Sequence, residues 1–306
     1  LHRVDRRQRQ MCIRDSNSAA WAGAGTFTYG TSNLTMTGTD KKINYIGDYS
    51  VYDLTINGTI TLHEYKYGGA TAIQPKGDLT VGASKTLSSN NQENIVISDN
   101  SNTAITIGTP ATGIAGLYSL RFRQAGSINL PACTTPRVLI QNGTDNTVVA
   151  TGDLTITTEL EVGSGFTFNA NGNTINTAEV DINGGTLNLS NSTLNFATAS
   201  IEWNMTSAST LTTGNTTVTG YSSGNPTQIS LPDTSPSASN FEIVGNISNL
   251  KAATLTDLTV IGSVTNCTTT GTDAIIRQWH HTLDTQQLLD ADEAGDDDLR
   301  LTKPAL

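Results

Sequence analysis

Three carboxylates have a spacing that would let them act together if the chain coils. Glu161, Asp181 and Glu202 lie 20 and 21 residues apart, each between two apolar residues: Leu160/Val162, Val180/Ile182 and Ile201/Trp203. Neighbouring residues of a strand point to opposite faces, so each carboxylate faces away from the side its apolar neighbours bury. If one coil takes about 20 residues, the three stack as a column with a repeat of about 4.8 Å. Like charges at that spacing repel, so the column either binds a cation or stays solvated. Its oxygen atoms suit Ca2+, the one cofactor the sequence suggests. Carboxylates on one outer face also perform general acid and base work on glycosidic bonds. That chemistry needs Arg, Lys or aromatic groups alongside, and the stretch around these residues lacks them. The plain reading is a solvated acidic stripe.

A second group is aromatic. Ile60 and Leu62 set the inward face of Thr59–Tyr67, which turns His63, Tyr65 and Tyr67 outward if the strand runs on. With Tyr45, Tyr49 and Tyr52 they make the most aromatic part of the chain. Such rings can cover sugar rings with their apolar bodies while the hydroxyls stay wet. A bulge near Glu64 would instead reset the register and lay the tyrosines over an end of the structure.

Other candidates are weaker. The acidic run Asp290–Asp298 departs from a calcium-binding EF-hand loop at Ala294 and Leu301. His280 and His281 are adjacent and diverge on either a helix or a strand. There is no P-loop, no Cys-x-x-Cys and no Ser/His/Asp grouping. Asp53, Asp78, Asp153 and Asp257 each open the motif Asp-Leu-Thr-Ile/Val, and this repetition points to a structural duty, bonding to nearby backbone N–H groups.

These motifs also reveal the elements that would position the candidates. The first two starts are 25 residues apart and the second and third 75, three times that interval. Between Asp153 and Trp203, short apolar alternations recur about every six to eight residues: Leu154/Ile156, Leu160/Val162, Phe166/Phe168, Ile175, Val180/Ile182, Leu187/Leu189, Leu194/Phe196 and Ile201/Trp203. Each is a short period-2 strand. Asn171-Gly172-Asn173, Asn183-Gly184-Gly185 and Asn191-Ser192 separate them, residue types that tolerate left-handed backbone. Three strands and three bends return the chain to its start in about 20 to 25 residues, and stacked coils bury what one coil cannot. The pattern predicts an all-β fold, a parallel β-helix over 17–271, less regular at 204–240 where Pro226, Pro232 and Pro236 fall. A β-sandwich is the alternative, though its strands run longer and its turns fall farther apart. Past Gly271, the spacing of Ile275, Ile276, Trp279 and Leu283 predicts a short amphipathic helix within an acidic segment, 272–306.

The motifs Tyr52–Thr59 (Tyr-Asp-Leu-Thr-Ile-Asn-Gly-Thr) and Asn183–Leu189 (Asn-Gly-Gly-Thr-Leu-Asn-Leu) resemble the β-helical repeats of bacterial surface adhesins and autotransporter-like passengers. Similar repeats occur in phage tail and fibre proteins. The resemblance implies an elongated protein of the cell surface or virion and carries over no functional residue; separately, no enzyme is expected. Surface glycans and other structural proteins are the expected partners. Arg6–Ser16 (RRQRQMCIRDS) resembles a translated sequencing-library adapter, so residues 1–16 are read as non-native, and both natural ends are expected to lie beyond this stretch. That segment holds five of the seventeen Lys and Arg residues, in a chain of net charge −10. The acidic balance of the remainder argues against nucleic acid as a partner. No apolar run is long enough to span a bilayer. Cys133 and Cys267, the cysteines outside that segment, do not establish a disulfide. The composition suits an extracellular setting.

Overall fold

In the computed structural model, the described residues are 33–219 apart from 46–48, 65–71, 91, 93, 98–103, 124–125, 142–145, 197–200, 207 and 214. Outside that span it describes residues 30–31 and the strand backbone at 19–20, 227–230, 241–244, 247–252, 258–261, 264–269 and 277–278. Every strand pair among the described residues is parallel, and the chain winds into a β-solenoid of about seven turns. Parallel neighbours need a crossover between them, and here the rest of each coil serves as that crossover. A sandwich built from antiparallel hairpins is thereby excluded.

The coil has three legs, as the alternation predicts. In one turn they are Leu154–Ile156, Glu159–Gly163 and Thr167–Asn169, the first two joined in a single bent strand, Leu154–Gly163. The next turn repeats them as Thr174–Asn183 and Thr186–Asn188. Each leg stacks on its counterpart in register: Leu154 faces Ile175, Leu160 faces Val180, and Phe168 faces Leu187. The inward residues therefore form three apolar columns along the axis. Leu154, Ile175, Leu194 and Val218 make one, Val138, Leu160, Val180 and Trp203 a second, Val148, Phe168, Leu187 and Leu211 the third. All are buried in one continuous cluster that runs back to Leu34. Each such aliphatic side chain contributes about 1.5–3 kcal/mol when removed from water. A single coil could bury its residues against nothing, so the stability resides in the stacking.

Corners carry the polar half of the design. Asn171, Asn191 and Asn215 each take a positive φ of 50–56° at one corner of successive coils. Asn215 Nδ2 donates to Asn191 Oδ1 over 3.1 Å. Asn tolerates this backbone because its short side chain bonds locally. One glycine is required by packing rather than by φ: a Cβ on Gly58 would lie 2.2 Å from the carbonyl oxygen of Gly38 in the coil beside it.

Within the stretch expected to be irregular, the described residues include strands at Thr210–Thr212, Thr216–Thr219 and Thr227–Ser230; residues 220–226 and 231–240 lie outside the described residues. Backbone pairing also reaches past Gly271. Arg277–Gln278 lie parallel to Thr259 and Val260 as a strand, where apolar spacing alone predicts helix. The helical spacing is a four-residue signal, too short to outweigh a sheet edge that offers unpaired backbone groups. The acidic run at 290–298 and the His280–His281 pair lie outside the described residues.

Candidate functional site

The outer face of the second leg is where the charged side chains gather. On the strand Leu154–Gly163, Leu160 and Val162 point into the core, which leaves Glu159 and Glu161 on the outside. The next coil places Glu179 opposite Glu159 and Asp181 opposite Glu161. Glu161 and Asp181 thus stack as the sequence predicts. Glu202 does not continue their column: it pairs with Glu179, and Asn204 takes the place opposite Asp181. The cause lies in the coil length. Thr174–Asn183 passes without a break from first leg to second, whereas in the following coil four residues, 197–200, separate Thr193–Phe196 from Ile201–Met205. The shift is two residues, so the backbone of Glu202 pairs with Glu179 instead of Asp181. Among the described residues, no three His, Cys, Asp or Glu side chains converge as a metal-binding group.

The expectation that basic and aromatic groups are missing beside these carboxylates is corrected by the stacking. Arg137 lies opposite Glu159 in the preceding coil, and its Nε is 3.3 Å from Glu159 Oε2. The same guanidinium lies over the ring of Tyr118, 4.6 Å from its centroid. Gln141 Nε2 donates to Glu161 Oε2 over 2.9 Å. One coil further, Arg121 stands opposite Leu139, which in turn stands opposite Glu161. Sequence inspection missed these because it searched near Glu161 along the chain. Subtracting one coil length from Glu159 reaches Arg137, so the repeat itself held the signal.

Electrostatics on this face are uneven. Burial raises the Glu161 carboxyl above the usual carboxylate range, and Glu159 and Asp181 add to that shift. Smaller effects, the charge of Arg121 and the bond from Gln141, oppose it. Burial likewise lowers the Arg121 guanidinium, with Arg123 as the next cause. Asp181 accepts from Asn183 Nδ2 at 3.0 Å. Val96 and Leu139 occupy outward places in the same column and are nonetheless buried, outside the interior cluster. The longer side chains flanking Leu139 along the column, those of Arg121 and Glu161, have apolar stems suited to covering it.

The aromatic candidate is only partly described. His63 is the penultimate residue of the strand Asp53–Glu64, half-buried, opposite Asn44, with Nδ1 shielded from solvent and without a hydrogen-bond partner. Tyr65 and Tyr67 lie outside the described residues.

The repeated aspartates have a definite task, and it is more specific than a local turn. Asp53 Oδ1 accepts from the backbone N–H of Asp78 at 2.8 Å, 25 residues on. Asp78 Oδ1 accepts from Ala104 N–H at 2.9 Å, 26 residues on, and Asp153 Oδ1 from Thr174 N–H at 2.8 Å, 21 residues on. Each carboxylate therefore satisfies the amide that opens the corresponding strand of the next coil, and the motif clamps one turn to its successor. Asp257 falls outside the described residues.

Comparison with protein-family models, with curated proteins and with solved structures finds no match to this chain.

Proposed function

We propose that the chain is a structural and adhesive β-solenoid module of an extracellular surface protein or phage appendage, working without catalysis. Its task is reach and rigidity, with weak multivalent contacts made by the outer faces. The observation that carries this reading is the Asp53–Asp78–Ala104 clamp together with the unbroken interior. Both features join coil to coil and neither shapes a pocket, as suits a part whose work is mechanical continuity. The low charge and the Thr- and Asn-rich surface agree with an extracellular setting.

The test combines shape, adhesion and turnover. Small-angle scattering of the purified chain should show a rod, and beads coated with it should adhere to glycan-bearing or protein-coated surfaces more strongly than the soluble chain binds. A compact scattering profile would overturn the reading. Turnover of an acidic polysaccharide, lost on Asp181→Ala, would overturn its non-enzymatic part.

A further inference from the structure

The outer face of the second leg is electrically divided along the solenoid axis. Four strands stack there in the order Ser119–Phe122, Cys133–Ile140, Leu154–Gly163 and Thr174–Asn183. The first two coils present Arg121, Arg123 and Arg137; in the other outward places, Ser119 and Leu139 are buried and Gln141 is uncharged. The last two present Glu159, Glu161, Glu179 and Asp181, with Gly163 and Asn183 uncharged. At the boundary the two halves already meet, through Arg137–Glu159 and Gln141–Glu161. Like charges also adjoin within each half, Arg121 beside Arg123 and Glu179 beside Asp181 and Glu159, while Arg121 is attracted by Glu161 across the boundary.

A surface with a basic half and an acidic half is complementary to a second copy that faces it across a two-fold axis lying in the plane of the contact, perpendicular to the solenoid axis. We infer that this face is a contact between two copies of the chain, with solenoid axes antiparallel. The Arg121–Arg123 pair of each copy lies over the Glu179–Asp181 pair of the other. Two-fold contacts of this kind use one patch twice, and complementary charge sets their orientation. Like charges within each half repel in a lone copy, and the second copy relieves that repulsion in both halves at once. The patch is small. Four coils at about 4.8 Å and five residues at about 3.3 Å give on the order of 300 Å² per copy. That is below the roughly 800 Å² per partner of a stable complex, so the contact is transient and salt-sensitive. This inference is independent of the proposed function, because scattering and adhesion test that reading and the mass in solution tests this one.

Sedimentation equilibrium of the full chain, up to about 1 mM protein, reads the contact directly. The wild-type chain should self-associate at about 20 mM salt and be monomeric at about 500 mM. Reversing the basic half (Arg121→Glu with Arg123→Glu) should weaken self-association at least tenfold, as should reversing the acidic half (Glu179→Arg with Asp181→Arg). An equimolar mixture of the two variants should associate again, and so should the chain carrying all four changes. Unaltered circular dichroism shows that each variant folds; if one does not, the salt dependence of the wild-type chain still decides. A wild-type monomer at low salt overturns the inference. So does association that the reversals leave unchanged, and so does binding of dextran sulfate by a chain that never self-associates.

Discussion

The two faces of one strand obey different rules. On the inside of Leu154–Gly163, Leu160 and Val162 repeat as Val180 and Ile182 in the next coil and as Trp203 and Met205 in the one after. On the outside, the same coils carry Glu159 and Glu161, then Glu179 and Asp181, then Asn204, and the coil before them carries Arg137 and Leu139. The inner column keeps its character because each member packs on the ones above and below, where density tolerates little change of volume. The outer column changes sign within one step, because water and side-chain rotation absorb the difference. A solenoid thus separates what specifies its fold from what it shows to solvent, on adjacent residues of one strand.

That contrast is broken most directly from the inside. Phe168 is fully buried between Val148 and Leu187. Phe168→Ala should cost about 3–5 kcal/mol, the transfer term plus the cavity left behind. Because each coil contacts only its neighbours, the loss should fall on the coils around Phe168 before the rest. Hydrogen exchange should show amides of Val148, Phe168 and Leu187 losing protection ahead of those near Leu54. A uniform loss along the chain would mean that the coils fold as one unit and that the nearest-neighbour picture is wrong.

The corner clamps stand between the two faces and should have an intermediate effect. Asp153→Ala removes the acceptor of the Thr174 N–H and should cost about 1 kcal/mol, by analogy with the loss of a side-chain cap on a backbone amide. Asp153→Asn keeps an acceptor oxygen and should retain most of that stability. Chemical denaturation measures both. Equal losses for the two substitutions would show that charge, rather than the acceptor, holds the coils together.

How much of this was legible in the chain follows the same division. The inner phase was readable because an apolar pair every six to eight residues is a local signal, and each pair from Leu154/Ile156 to Leu194/Phe196 is indeed buried. The corner at Asn171-Gly172 was readable because few residue types accept its positive φ. The outer columns were not, because they depend on the length of each coil. An uninterrupted first and second leg at Thr174–Asn183 and a four-residue separation in the next coil suffice to move Glu202 from beside Asp181 to beside Glu179. Arg137 escaped notice for a related reason. Its partner Glu159 is 22 positions away in sequence and 3.3 Å away in space, a relation visible only once the register is known.

The smallest expected effect sits at the centre of the outer face and tests whether charge there opposes the fold. The Glu161 carboxyl is raised above its ordinary range by burial first and by Glu159 and Asp181 next. A carboxyl that is harder to ionise in the folded state than in the unfolded one favours folding only while it is protonated. Its contribution is therefore fully present below the ordinary carboxylate pKa and is lost as pH rises through the raised folded value. Glu161→Gln removes that loss and keeps an oxygen to accept from Gln141. In dilute protein, the variant should melt slightly above the wild-type chain near neutral pH, and the difference should vanish in acid. Melting curves across that range decide the matter. A variant less stable than wild type at neutral pH would show that attraction from Arg121 outweighs burial and the neighbouring acids, and that the outer face contributes to holding the coils together.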